Sequence, residues 1–98
     1  MTDELIQQAD GSFVLTGELS FKTVPSLVRL SHIWLASPAD PVSINMEKVG
    51  RADSAGLALL LEWQKMALAA NRKIRFTGIP DQLVSLIAIC GLKDSFGI

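Results

Sequence analysis

Apolar side chains recur along this chain with two alternating periods, and that alternation restricts the folds open to it. Residues 42–46 and 73–77 alternate apolar with polar side chains, which is typical of β-strands. Residues 24–36 and 55–70 instead gather apolar side chains on one broad face, as amphipathic helices do. A third helix is predicted over residues 80–90. Strands separated by helices in this way form βαβ units.

A short hairpin precedes these units. Residues 5–9 and 13–16 are predicted to be its two strands, and Gly17 is predicted to end the second. Asp10-Gly11 between them favours a tight turn, because both residues tolerate positive φ. The sequence therefore predicts an α/β fold in the order β-β-α-β-α-β-α, with a mixed β-sheet and helices packed on it.

The ends of the helices are marked by residues that favour caps and turns. Thr23 and Ser54 are predicted to cap the first and second helices, since each hydroxyl can accept a backbone N–H of the first turn. Asn71 is predicted to end the second helix, and Gly91 to form a left-handed cap after the third. Residues 47–52 are predicted to be a plain connection.

Length and composition favour one packed domain, predicted to span residues 1–98. The chain has 98 residues, which suffice for one hydrophobic core. Because 49% of them are hydrophobic, the composition argues against a disordered chain. The net charge is -1 and no basic stripe is visible, so no nucleic-acid partner is predicted. The N-terminus is acidic and residues 55–61 are too few for a membrane span, which predicts a cytoplasmic protein without direct membrane insertion.

Residue types that carry catalysis or bind metals are sparse. The sole histidine, His32, lies on the predicted polar face of the first helix, and the sole cysteine, Cys90, lies late in an apolar helix where a buried thiol is expected. One histidine and one cysteine fall short of a metal site. The chain also lacks a Gly-rich phosphate loop and a Gly-x-Ser-x-Gly motif. We therefore predict a protein that is not an enzyme and uses no metal or cofactor.

The segment in which a loop turns into the second helix, residues 51–56 (Arg-Ala-Asp-Ser-Ala-Gly), needs more explanation than a helix cap supplies. Gly56 lies in the first turn, where glycine costs about 1 kcal/mol relative to alanine but lets another surface approach closely. The helix N-terminus would tolerate a phosphate on Ser54, although the neighbouring Asp53 would repel it. The segment is predicted to be a binding surface.

The second helix has a wider apolar arc than packing on one face of a sheet requires. Leu59, Trp63 and Met66 widen it. Two interpretations stay open from the pattern alone. The surplus edge either packs on neighbouring helices or forms an exposed patch that marks a partner site.

With these residues placed, the chain resembles the STAS domain family over nearly its whole length, including the anti-sigma factor antagonists. Residues 15–19 (Leu-Thr-Gly-Glu-Leu) are similar to the family's Gly-Glu-Leu after the second strand. Residues 53–57 (Asp-Ser-Ala-Gly-Leu) match the family's Asp-Ser-Ser/Thr-Gly-Leu, and residues 78–92 match the end of the last core strand and its helix. The resemblance implies a STAS fold. It also implies that Ser54 occupies the position that a cognate kinase phosphorylates in the antagonists.

Two departures separate the chain from the antagonists. Ala55 stands where the family usually has Ser or Thr, and Asn45-Met46 stands where Asp-Leu usually ends the third strand. Residues 53–63 are more similar to the MlaB branch, the STAS subunits of ABC complexes that transport phospholipids and maintain outer-membrane lipid asymmetry. That resemblance implies a subunit peripheral to the inner membrane. It would bind the (MlaF-like) ATPase subunit directly and the permease indirectly, and support assembly and activity.

The resemblance also implies roles for individual residues. In MlaB the position of Ser54 carries a hydroxyl residue important for function, so Ser54 is expected at the contact with the ATPase. The alternative is an anti-sigma factor antagonist regulated by phosphorylation of Ser54. The residues predicted to bind the partner are Arg51, Asp53, Ser54, Ala55, Gly56, Leu59, Trp63 and Met66.

Overall fold

The chain begins with an antiparallel hairpin. A computed structural model describes residues 4–98, in which β1 (Glu4–Gln7) pairs with β2 (Phe13–Leu19). Gly11 adopts φ +90° in the connecting turn. The Asp10 carboxylate accepts hydrogen bonds from the Ser12 hydroxyl at 2.6 Å and the Ser12 N–H at 2.9 Å. The predicted hairpin is thus confirmed, with its first strand ending earlier than expected.

The helical region after β2 is broken in two, where a single helix over residues 24–36 was predicted. It forms α1 (Val24–Arg29) and α2 (Ser31–Leu35). At the break the backbone tightens, because Leu30 N–H donates to the Leu27 carbonyl at 2.9 Å and Ile33 N–H donates to the Leu30 carbonyl at 3.0 Å. Such i to i−3 bonds narrow the helix and turn its axis.

The observed order, β-β-α-α-β-β-α-β-α-α, has three elements more than the predicted one. The first predicted helix is split in two, residues 47–52 contain a strand and are not a plain connection, and a short helix follows the third predicted one. The elements after α2 are β3 (Val42–Asn45), β4 (Val49–Ala52), α3 (Ser54–Ala69), β5 (Ile74–Thr77), α4 (Asp81–Ile89) and α5 (Lys93–Phe96).

The strands form one mixed sheet in the order β1-β2-β3-β5, with β4 paired to the second half of β2. All pairs except the β1–β2 hairpin are parallel. Gly17 does not end β2 as predicted. It lies within the strand at φ +101°, where the register shifts between Gly17 and Glu18. This irregularity lies between the part of β2 that pairs with β3 and the part that pairs with β4. The predicted mixed α/β fold is confirmed.

The core contains a pair of tryptophans. Trp34 of α2 and Trp63 of α3 are fully buried, and their rings meet edge to face with centroids 6.0 Å apart. Neither indole N–H has a hydrogen-bond partner within residues 4–98. The other large side chains that are fully buried come from the strands, the flanking helices and the residue that follows β3: Phe13, Leu15, Leu19, Leu27, Ile44, Met46, Leu59, Leu60, Leu83 and Ile87.

The ends of the later helices follow the sequence closely. Asn71 adopts φ +55° after α3, and Gly91 adopts φ +70° after α4, as a left-handed cap requires. No helix in the described part of the chain is long and apolar enough to cross a membrane. The single domain predicted over residues 1–98 includes residues 1–3, which lie outside the described residues, and it stays a prediction.

Candidate partner-binding site

The candidate site lies where the parallel strands β2 and β4 end and α3 begins. Leu19 pairs with Ala52, and Asp53 N–H donates to the Leu19 carbonyl at 3.0 Å. This bond fixes the first turn of α3 against the end of β2. In α/β folds the crevice beyond the carboxyl ends of parallel strands is the usual place for a binding site.

Asp53, and not Ser54, caps α3. Asp53 has extended backbone, and its Oδ1 accepts a hydrogen bond from Ala55 N–H at 2.8 Å. The prediction that Ser54 is the N-cap is wrong, because Ser54 is already the first helical residue, while a cap residue needs non-helical backbone. The Ser54 side chain is exposed and makes no hydrogen bond to another described residue. Its hydroxyl is therefore not needed to hold the helix.

Ala55 and Gly56 belong to the support of the site rather than to its surface. Both are buried. A Cβ on Gly56 would lie 3.1 Å from Leu19 Cβ and 3.3 Å from Leu83 Cδ2. The surface that approaches Gly56 closely is thus the protein's own β2 and α4, and not a partner. The prediction that Ala55 and Gly56 contact a partner directly is corrected accordingly.

The apolar edge predicted on α3 is internal. Leu59 and Trp63 have 0% exposure, so their assignment to a partner-binding surface is wrong. Met66 is partly buried against the core. The physical reason is that α3 contacts α1 and α4 as well as the sheet, and Trp34 of α2 covers Trp63. Neighbouring helices account for the width of the apolar arc.

An open cavity of about 270 Å³ lies at the strand ends and is lined by Asp53, the residue before Ser54. Arg51, Ala52 and Asp53 of its lining belong to the segment 51–56 that was predicted to be a binding surface, whereas the other lining residues were not predicted. Glu18 could have been found from the sequence, because it lies in the Gly-Glu-Leu motif. Nothing in the sequence marked Gln82 of α4. The lining residues are Glu18, Leu19, Ser20, Arg51, Ala52, Asp53 and Gln82. We call the exposed residues Arg51, Asp53 and Ser54, together with this cavity, the α3 corner.

Of the two charged side chains that define the α3 corner, Asp53 forms a hydrogen bond and Arg51 forms none to a described residue. Oδ1 of Asp53 is bound to Ala55 N–H. Arg51 is exposed and has no hydrogen bond or ion pair to any residue between 4 and 98. The corner can thus offer a guanidinium and a hydroxyl to an incoming group.

Metal ligands do not gather in the described structure. No group of three or more His, Cys, Asp or Glu side chains that could hold an ion occurs among residues 4–98. His32 is exposed on α2, with Nδ1 2.8 Å from the Arg29 carbonyl. Cys90 is exposed, which corrects the expected buried thiol, because it lies at the end of α4 beyond the last buried turn.

Thr23 organises the turn that leads from β2 into α1. It was predicted to cap α1, but its hydroxyl bonds backwards along the chain. Oγ1 donates to the Glu18 carbonyl at 2.6 Å and accepts from Ser20 N–H at 2.9 Å, and no cap bond to α1 forms. The turn over residues 20–23 therefore has a fixed shape next to the cavity.

Comparison with known proteins identifies the family. A family model described as "Mlab, STAS domain" matches residues 5–97. The anti-sigma-B factor antagonist of Staphylococcus aureus, in strains NCTC 8325 / PS 47 and COL, is 31% identical over 78 residues, which cover 80% of this chain and 72% of the relative.

A solved structure has the same fold. The structure of the anti-sigma factor antagonist SpoIIAA in its unphosphorylated form superimposes with a TM-score of 0.64 at 16% identity, covering 90% of this chain and 83% of that one. At this identity the likeness concerns the fold alone. Since the family model matches nearly every residue from 5 to 97, the chain belongs to the STAS domain family.

Proposed function

We propose that the chain is a non-enzymatic subunit that binds a protein partner through the α3 corner. The proposal rests on one observation: Asp53 caps α3, and Ser54 beside it takes no part in the cap. Because Asp53 caps the helix, the exposed Ser54 hydroxyl is free to bond to a partner or to accept a phosphate without loss of the cap. No side chain within residues 4–98 is hydrogen-bonded to the Ser54 hydroxyl, as the general base of an activated serine would be.

The first candidate partner is a kinase that regulates a sigma factor. The relatives from Staphylococcus aureus are anti-sigma-B factor antagonists, and they favour this candidate. Ser54 is exposed at the positive end of α3, where a phosphate would meet backbone N–H groups. Under this proposal phosphorylation of Ser54 changes the charge of the α3 corner and so releases or recruits the partner.

The second candidate partner is the ATPase subunit of an ABC-type phospholipid transporter. Two observations favour it: the description of the matching family model and the replacement of the second hydroxyl of the motif by Ala55. Ala55 is 4% exposed, so this position offers the partner neither a hydroxyl nor a surface. Under this proposal the chain is a cytoplasmic subunit held at the inner membrane by a lasting contact, in which the Ser54 hydroxyl stays unmodified.

Affinity purification of the tagged chain from its native host separates the two candidates. Membrane and cytosolic fractions are purified in parallel and the co-eluting proteins are identified by mass spectrometry. An ATPase that elutes with its permease supports the transporter. A sigma-regulating kinase, together with a phosphorylated species in the intact mass of the chain, supports the antagonist.

Substitutions at Ser54 test the α3 corner itself. We expect Ser54→Glu to weaken partner binding by more than about tenfold, which corresponds to about 1.4 kcal/mol, because it adds bulk and charge to a close contact. Ser54→Ala should weaken binding less, since it removes one hydroxyl. Ser95→Glu is the matched control, because Ser95 is an exposed helical serine on α5 that does not line the cavity. If Ser54→Glu binds as tightly as the control, the partner does not dock at the α3 corner.

A further inference from the structure

Phe21 presents an aromatic ring to solvent at the edge of the α3 corner. Its side chain is 76% exposed, in a chain whose other three phenylalanines are buried or partly buried. Burial of a phenylalanine ring stabilises a fold, and a ring that stays exposed gives little of that stabilisation. Phe21 therefore adds nothing evident to the core.

The turn that carries Phe21 is held by hydrogen bonds on both sides of it. Before it, Ser20 N–H donates to Thr23 Oγ1 at 2.9 Å, and Thr23 Oγ1 donates to the Glu18 carbonyl at 2.6 Å. After it, the N–H groups of Thr23 and Val24 donate to the Ser20 carbonyl at 3.1 and 2.9 Å. A ring on a preorganised turn loses less conformational freedom on binding than a ring on a mobile loop.

The position of the turn links Phe21 to the proposed contact. Ser20, the residue before it, lines the same cavity as Arg51 and Asp53. The residue after it, Lys22, is exposed. Within residues 4–98 neither Lys22 nor Arg51 has a hydrogen bond or ion pair, whereas Asp53 is engaged by Ala55 N–H. Two cations without a partner among the described residues, Lys22 and Arg51, thus stand beside Phe21, while the Asp53 carboxylate keeps its charge and Glu18 also lines the cavity.

We propose that Phe21 is the hydrophobic anchor of the α3 corner, and that it inserts into an apolar pocket of the protein partner that is edged by carboxylates facing Lys22 and Arg51. Aromatic side chains are enriched at the centre of protein interfaces, with charged groups arranged around them. This inference rests on the proposed function, since it assumes that the partner docks at the α3 corner.

The test measures the affinity of the purified partner, whether ATPase subunit or sigma-regulating kinase, by calorimetric titration with the full chain. We expect Phe21→Ala to raise Kd by about tenfold or more, the loss typical of an interface anchor. Leu68→Ala is the matched control. Leu68 is equally exposed, at 78%, but lies at the far end of α3. That end is about 21 Å from Ser54 along the helix axis. The control should change Kd by less than about twofold.

A second readout tests the charges around the ring. The double variant Lys22→Gln/Arg51→Gln should bind more slowly and lose much of its dependence on ionic strength, because steering by opposite charges is screened by salt. A dependence equal to that of the wild type would overturn the carboxylate-edged pocket.

The outcomes separate this inference from the proposed function. If Ser54→Glu weakens binding and Phe21→Ala does not, the partner docks at the α3 corner without using Phe21, and the inference is wrong. If neither substitution weakens binding, or if neither partner binds the wild type, both the docking surface at the α3 corner and the role of Phe21 as its anchor are wrong. Circular dichroism of Phe21→Ala checks that the fold is intact, as expected for an exposed position.

Discussion

The Gly56→Ala substitution would place a methyl group where the first turn of α3 approaches β2 and α4. Two effects oppose each other. Alanine favours a helix over glycine by about 1 kcal/mol. Against this, the new Cβ would lie 3.1 Å from Leu19 Cβ and 3.3 Å from both Leu19 Cδ1 and Leu83 Cδ2, which is closer than carbon atoms normally approach.

Leu19 decides which effect is larger. Its Cβ is fixed by its own backbone, and that backbone is held in place because the Leu19 carbonyl accepts the hydrogen bond from Asp53 N–H. Overpacking a buried site costs about 1–3 kcal/mol. The net expectation is a loss of about 1 kcal/mol in the free energy of unfolding, which lowers Tm by about 4–8 °C in a domain of this size.

Thermal unfolding followed by circular dichroism measures the change. Ala58→Gly, at an exposed position in the same helix, measures the propensity effect alone and should cost about 1 kcal/mol. In a Leu83→Ala background the Gly56→Ala cost should shrink by more than about 0.5 kcal/mol, because one of the crowded atoms is gone. A Gly56→Ala protein that melts above the wild type would refute the argument, since it would show that Leu19 and Leu83 move aside freely.

Two further predictions concern local hydrogen bonds. Asp53→Ala should lower the free energy of unfolding by about 1 kcal/mol, because it removes the cap of α3. Ser54→Ala should change that free energy by less than about 0.5 kcal/mol. Urea denaturation measures both changes, and equal losses would contradict the assignment of the cap to Asp53. The hydroxyl and N–H of Ser12 lower the pKa of Asp10 below its ordinary value of 3.8, so the stability from this turn is present above that pH and is lost as the pH falls through the folded-state pKa. Ser12→Ala should raise the pKa of Asp10 towards 3.8 in an NMR titration, and an unchanged pKa would mean that the hydroxyl has no such effect.

The elements that the sequence predicted well are those whose periodicity is set by local burial. The alternating residues 42–46 and 73–77 contain β3 and β5, and the helix predicted over residues 55–70 matches α3 within one residue at each end. The strand β4 was missed because Val49-Gly50-Arg51-Ala52 lacks the β-branched alternation typical of strands. Its pairing with β2 is a tertiary contact that no local pattern reveals.

The candidate site itself stays a prediction, and the sequence predicted its local structure only in part. Ser54 was correctly placed at the exposed start of α3, because the change from loop to helix is visible in the sequence. The cap was predicted at the wrong residue because Asp53 and Ser54 are both suitable cap residues, and only the backbone geometry decides between them. Leu59 and Trp63 are buried by helices whose positions a single helical pattern cannot supply.

The tryptophan pair gives the protein an optical property that separates unfolding from binding. The chain contains two tryptophans and no tyrosine, so its tryptophan fluorescence comes from Trp34 and Trp63 alone. Both rings are fully buried and in contact with each other, so their emission reports the packing of α2 against α3. Neither ring lines the cavity of the α3 corner. A partner that docks there should leave the emission maximum unchanged, whereas loss of the core should shift it to longer wavelength.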